Sequence, residues 1–265
     1  MARIVPLWRS AEISVHRFDH PAEHEDQPYE EVATAYVASF VEHGSFDLDV
    51  DGRQWRVAAG DVMLQRPRMR FRASFSGSAF NDTCLSVVYL TAAEEGFDAR
   101  GTWERANRSV IAASGRLNYL RWGLAHAVET GAPMLAEYCA AEIFRELPEE
   151  RAASALSARK FNWYAERIHF ACERLDREFA EPLTASDLAR SAGMSLFHFA
   201  RIFTELTGSP PHRYLLRKRL DAAAAMLRDG RSVTETCFAV GFGDISHFTR
   251  SFSRWHGISP SRFAR

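Results

Sequence analysis

Lysine is almost missing from this chain of 265 residues: of 33 basic residues only Lys160 and Lys218 are lysine, and the rest are arginine. Its positive charge therefore sits on planar, multidentate groups suited to phosphate and base edges. Cysteine is scarce too. Cys84, Cys139, Cys172 and Cys237 are scattered, with no C-x-x-C pair, which argues against a zinc site and a disulfide framework. Four buried or partly buried thiols in a reducing cytoplasm are expected instead. No apolar run approaches the ~18–20 residues that cross a bilayer. Met1 to Ser10 lacks the apolar core and cleavage site of a secretory signal. No G-x-S-x-G, G-x-G-x-x-G or P-loop occurs. Net charge is nearly absent as well, at -1 with a pI near 6.8, which at first argues against a nucleic-acid partner. What remains is ordinary: 46% hydrophobic and 25% charged residues. That composition excludes disordered, collagen-like and disulfide-scaffold classes for the whole chain, and the length suits one large or two ordinary domains.

The chain divides by period. From about Glu31 to Leu90 the pattern is period two: Phe46, Leu48 and Val50 alternate with Ser45, Asp47 and Asp49. Asp51-Gly52 then supplies a two-residue hairpin turn, and Trp55 and Val57 continue on the return strand. Met69, Phe71, Ala73 and Phe75 alternate with Arg68, Arg70, Arg72 and Ser74, while Leu85, Val87 and Tyr89 share one face of another strand. This predicts an antiparallel sandwich or barrel. From Thr102 onward strand signals vanish. Two helices are expected at Arg116–Glu129 and Ala132–Leu147, broken by Gly131 and Pro133. The resulting organisation is a β domain over 1–100, a helical connector over 101–147, a linker over 148–160 and an all-α domain over 161–265.

The all-α half repeats itself. His198-Phe199-Ala200-Arg201-Ile202-Phe203 recurs 49 residues later as His247-Phe248-Thr249-Arg250-Ser251-Phe252. The same offset relates Gly208 to Gly257 and Pro211 to Pro260. Upstream the offset is 48, so one residue is inserted in the second copy around Gly243. Each copy reads as helix, glycine turn, helix. Thr184 caps a helix through Ala192, Gly193 turns the chain and Ser195 caps the next helix. In the second copy Ser232 and Glu235 stand at capping-box spacing and Gly241 ends the helix. Phe199, Ile202, Phe203 and Leu206 form an i, i+3, i+4, i+7 core stripe. Two such copies predict two helix-turn-helix units, whose second helices can lie in a major groove.

The stretch from about Ile168 to Arg265 resembles the DNA-binding domain of the AraC-type transcription regulators. The resemblance rests on Leu188-Ala189, Arg201-x-Phe203, Gly208, Arg219-Leu220-x-x-Ala223, Val240-Gly241-Phe242, Ser246-His247-Phe248-x-Arg250-x-Phe252 and Gly257-x-Ser259-Pro260-x-x-Phe263. One departure is Thr236-Cys237, where the family usually has an aliphatic residue followed by alanine. The resemblance implies two units joined by a long helix, here about Pro211–Arg228, with both second helices in successive major grooves. More loosely, residues 10–100 resemble the cupin-like sensor domain of such regulators, through Phe40-Val41-x-x-Gly44-Ser45-Phe46 and Gly60-Asp61. The helices after that barrel would then dimerise, a small-molecule effector would occupy the barrel, and RNA polymerase would be a further partner.

Charge counted by region agrees with this. Residues 182–265 contain 12 basic and six acidic residues, a balance of +6, which leaves -7 on the rest. A basic domain joined to an acidic one is the footprint of a DNA reader with a separate sensor. Arg201 and Arg250 occupy equivalent positions and are the expected readers of base edges or adjacent phosphate, since arginine can bond two acceptors of guanine. Phe197 and Ala200 are placed to meet thymine methyls, with Ser195, Leu196 and Thr204 on the same helix. Asp244, Ile245, Ser246 and Thr249 are the second-copy positions. Arg250 has a competing role, a salt bridge to Asp244. Arg217, Lys218, Arg231 and Arg254 are read as touching phosphate or solvent, and Arg219 as doing so or supporting the fold. Two units one helical turn apart would cover roughly 20 bp of duplex per chain.

Other chemistry fits poorly. Asp47-x-Asp49-x-Asp51-Gly52 copies the start of a calcium loop, but position 12 is Ala58, so the aspartates read as the wet face of a hairpin. His20 and His24, near Glu23 and Glu25, lack the paired-histidine pattern of cupin enzymes, and no metal or cofactor is expected. Trp55, Met69, Phe71, Phe75 and Tyr89 are the candidate lining of a ligand pocket in the barrel. The competing readings are a cupin-type metal-dependent enzyme and a regulator with no small ligand.

Overall fold

The computed structural model describes residues 3–19, 30–74, 82–90, 108–146, 156 and 158–264. It divides into two compact units, Met1–Ala155 and Leu156–Arg265. Among its described residues the first holds ten strands: β1 (Arg3–Arg9), β2 (Ile13–Asp19), β3 (Glu30–Val32), β4 (Tyr36–His43), β5 (Ser45–Val50), β6 (Arg53–Ala58), β7 (Asp61–Gln65), β8 (Arg70–Ser74), β9 (Thr83–Tyr89) and β10 (Val110–Ala112). They form a six-stranded sheet in the order β1-β2-β9-β4-β7-β10 and a four-stranded sheet in the order β3-β8-β5-β6. Every pairing is antiparallel. Helices α1 (Gly115–Thr130) and α2 (Pro133–Glu146) follow.

The strand most legible by alternation is β5. Phe46, Leu48 and Val50 are buried in register with Val57, Trp55 and Arg53 of β6. The turn residues Asp51 and Gly52 have φ of 52° and 77°, the two positive values a two-residue hairpin turn uses. Asp47 pairs with Arg56 at 2.9 Å, and the Asp49 carboxylate accepts the Gly52 N–H, so these aspartates are occupied within the hairpin. The inter-sheet core joins Phe46, Leu48, Val57, Met69 and Phe71 to Val41, Met63 and Cys84. The opposite face of the six-stranded sheet, with Phe40, Leu64, Leu85, Val87 and Tyr89, is covered by Leu117, Leu120, Leu124, Ile143 and Phe144 of α1 and α2. Strands β4 and β9 are buried on both faces, and the polar pair this encloses, Ser39 and Ser86, is hydrogen-bonded to itself at 2.8 Å.

Two expectations need correcting. Strand structure does not end before Thr102: β10 pairs with β7, matching Ile111 with Val62, and Ala113 N–H donates to Gly60 O. A three-residue edge strand is too short to express a period. Tyr89 does not share an interior with Trp55, Met69 and Phe71. It lies on the helix-covered face, edge-on to Phe144, with its hydroxyl donating to Glu12. Phe75, His20 and His24 lie outside the described residues.

The second unit holds α3 (Ala158–Arg177), α4 (Ala185–Ser191), α5 (Leu196–Thr207), α6 (Pro211–Arg228), α7 (Val233–Ala239), α8 (Ile245–His256) and α9 (Pro260–Phe263). Local chemistry sets most boundaries. Thr184 with Asp187 and Ser232 with Glu235 both form reciprocal capping boxes at the starts of α4 and α7. Ser195 and Asp244 cap α5 and α8 by accepting the N–H groups of His198 and His247. Pro211 opens α6 at the first helical position, where its missing N–H costs nothing. Phe199, Ile202, Phe203 and Leu206 of α5 are fully buried, as are Phe248 and Phe252 of α8. The four cysteines are free thiols and buried; burial pushes Cys84 and Cys139 up to about 12. No helix among the described residues is long and apolar enough to cross a membrane.

Candidate nucleic-acid interface

Burying one stripe of a helix leaves the opposite stripe to water. On α5 that outer stripe carries Leu196, Phe197 and Arg201, with Ala200 and Thr204 half-buried at its edge. Phe197 is 82% exposed, a conspicuous position for a large aromatic ring with no apolar partner to cover it. Arg201 reaches Glu205 one turn on, at 3.4 Å. The Thr204 hydroxyl donates to Ala200 O at 2.7 Å, which leaves its oxygen as an acceptor only.

On α8 the outer stripe carries Ile245, Ser246, His247, Arg250 and Arg254, with Thr249 half-buried. Asp244 is spent on the helix cap, its carboxylate 2.7 Å from the His247 amide nitrogen. The competing salt bridge from Arg250 to Asp244 does not form, and among the described residues Arg250 has no ion pair. The repeat offset sets Arg254 where α5 has Glu205, so α8 presents two arginines one turn apart and α5 an arginine tied to a glutamate. The shared histidine differs as well. His198 is held by Tyr164 of α3 at 2.7 Å, whereas His247 leans on the Phe242 ring and stays exposed.

The long helix α6 is more structural than its charge suggests. Lys218 is paired with Asp176 of α3 at 2.9 Å, and Arg217 lies over the Tyr214 ring. Arg219 donates from Nε to Phe179 O at 2.7 Å and from Nη2 to Glu181 O at 2.8 Å. Burial lowers its pKa from the ordinary value, and a guanidinium still stays charged. The same loop meets Gly241: a β-carbon there would stand 2.3 Å from Ala180 O, and its φ is +84°. Gly193, its counterpart in the first copy, has φ +65° and open space around it. Arg219 therefore supports the fold, seating the α7–α8 turn on the segment between α3 and α4. Sequence reasoning missed the reach of Trp255, whose indole N–H donates to Asp221 of α6, and the exposed Phe238 of α7.

A family model described as a helix-turn-helix domain matches residues 188–265, which contain both α5 and α8. That stretch is an AraC-type helix-turn-helix domain. It is similar to the uncharacterized HTH-type transcriptional regulator YbfI of Bacillus subtilis, 26% identical over 226 residues, covering 80% of this chain and 78% of that one. The HTH-type transcriptional activator RhaS of Klebsiella pneumoniae is 38% identical over 87 residues, 32% of this chain and 31% of RhaS, so the chain matches about a third of that relative's length. Among solved structures, an AraC-type regulator of Chromobacterium violaceum is 26% identical, with a TM-score of 0.36 over 37% of this chain and 89% of that one. The DNA-binding domain of AdpA in complex with a target DNA is 32% identical, with a TM-score of 0.34 over 38% of this chain and 88% of that one. The region shared with these relatives, all of them transcription regulators by name, is the helix-turn-helix domain.

Proposed function

We propose that this AraC-type regulator reads sequence with two helix-turn-helix units, α4–α5 and α7–α8, each laying its second helix in a major groove. The carrying observation is the duplicated amphipathic helix whose outer stripe bears Leu196, Phe197 and Arg201 in one copy and Ile245, Ser246 and Arg250 in the other, while the aromatic stripe beneath is buried. Arg250 is the principal base-edge arginine, because among the described residues no acid pairs with it. Phe197 and Ala200 offer apolar contact to thymine methyls. Ser195, Leu196, Thr204, Ile245, Ser246 and Thr249 complete the two faces, and Asp244 acts through the cap it provides. Arg254 supplies phosphate contact, with Arg217 and Lys218 further along α6. Footprinting on a bound operator tests this: protection of roughly 20 bp per chain is expected, and protection of only ~8 bp would rule out use of both units.

The first unit is read as a cupin-like sensor over residues 1–100, followed by a dimerising connector over 101–147, a linker over 148–160 and the DNA-binding domain over 161–265. It has no enzymatic role in this reading, and it works in the cytoplasm with RNA polymerase as a partner. A small-molecule effector would lie between the sheets near Trp55, Met69 and Phe71. One observation favours a regulator without such a ligand: that interior is filled by its own side chains, with Leu48, Val57, Met69 and Phe71 all buried. Thermal shift against metabolite pools separates the two, since a ligand-induced rise supports an effector site and its persistent absence supports control by protein binding or abundance.

A further inference from the structure

The seam held by Arg219 and Gly241 also walls a cavity of about 380 Å³ within the second unit. Five leucines, Leu175, Leu183, Leu188, Leu215 and Leu216, supply most of its apolar lining, and its polar side chains are Arg219, His212 and His247. Among the described residues no aspartate or glutamate lines it. A mostly apolar cavity of this size with a few convergent polar groups has the make-up of a small-molecule site.

Arg219 sets the sign of the ligand. Two backbone carbonyls grip Nε and Nη2, so the guanidinium plane is fixed in advance. Those carbonyls carry no formal charge, and Nη1 makes no hydrogen bond to a described residue. A half-buried cation with unspent donors and no acid beside it suits an anion. The leucines decide the rest. A phosphate would satisfy the arginine and leave them uncovered, and a neutral hydrocarbon would cover them and leave the arginine unspent. We propose that this cavity binds a small monocarboxylate with an apolar body. The carboxylate would take the Nη1 donors of Arg219, the imidazoles of His212 and His247 would flank it, and the body would lie on the leucines. This site is separate from the sheet interior of the first unit and does not rest on which residues read DNA.

The test titrates the full chain with 2-naphthoate, followed by calorimetry and by the amide NMR signals of Gly241 and Gly243, which both line the cavity. One saturable site is expected, with both glycine signals shifting. Binding should be at least about tenfold tighter than for 2-naphthalenemethanol, which keeps the body and lacks the charge. Inorganic phosphate should give no saturable response. Leu215→Trp, which fills the cavity from α6, should abolish binding. Arg219→Lys, which keeps the charge and loses the fork, should weaken it by about tenfold. Equal binding of the neutral analogue, equal binding of phosphate, unmoved glycine signals, or unchanged binding in Leu215→Trp would each overturn the proposal, as would no binding at all. If Arg219→Lys does not fold, the neutral analogue and Leu215→Trp still decide it.

Discussion

The two copies of the repeated helix pair share their caps, core stripe and turn glycines, and they differ in what surrounds them. The first pair turns at Gly193 in open space, while the second turns at Gly241 against the backbone of Ala180. The first pair's outer face holds Arg201 paired with Glu205 and is tipped by Phe197, while the second pair's carries Arg250 and Arg254, neither ion-paired among the described residues. Similarity of pattern therefore does not mean equality of role. The buried stripe records the duplication, and the exposed stripe and the seam record what each copy has come to do.

The largest effect expected from this contrast is at the two glycines. Gly193→Ala should cost about 1–2 kcal/mol, the left-handed penalty alone. Gly241→Ala adds a backbone clash and should cost about 1–3 kcal/mol more. Urea unfolding of both variants checks this, and equal losses would erase the asymmetry. The arginines come next. Arg250→Ala should lose about 1–3 kcal/mol of discrimination between the true operator and a point-mutated one. Arg201→Ala should lose less, because Glu205 already holds that side chain. Gel shifts at one salt concentration measure both, and a larger loss from Arg201→Ala would reverse the assignment. Arg254→Ala should leave discrimination intact and reduce the salt dependence of binding by about one counterion; an unchanged slope would remove it from the phosphate contacts.

The smallest effect tests sameness rather than difference. The capping hydroxyls of Thr184 and Ser232 hold the Asp187 and Glu235 carboxyls below their ordinary pKa values. A depressed carboxyl stabilises the fold above its unfolded pKa, and that contribution is lost as pH falls through the lower folded value. Thr184→Ala and Ser232→Ala should each cost about 1 kcal/mol at neutral pH, and the gap from the parent chain should narrow on acidification. Thermal melts from neutral to acid pH would show it, and a gap that stays constant would mean the carboxyls are not coupled to the caps.

How much of this was legible depended on range. Caps, turn glycines and the Phe199–Leu206 stripe are decided within a few residues, so the helices of the second unit could be read directly. The β5–β6 hairpin was equally plain, because one face of β5 is wet. Leu85, Val87 and Tyr89 do share one face of β9, but both faces of that strand are covered, so the pattern alone does not say which layer Tyr89 enters. The contact of Arg201 with Glu205 sits at a spacing of four, a pairing legible in the sequence alone. The grip of Arg219 on Phe179 and Glu181 spans about forty residues of chain, beyond any local pattern.

The Lys218–Asp176 pair has a practical consequence. Apart from Lys218, the only lysine side chain is Lys160, exposed at the start of α3. Neither α5 nor α8 contains a lysine. Acetylation cannot neutralise the charge on those helices, because an arginine surface gives it no substrate there. For the same reason an amine-directed dye or immobilisation tag would mark the second unit at Lys160 in preference to the paired Lys218, and would leave α5 and α8 chemically untouched.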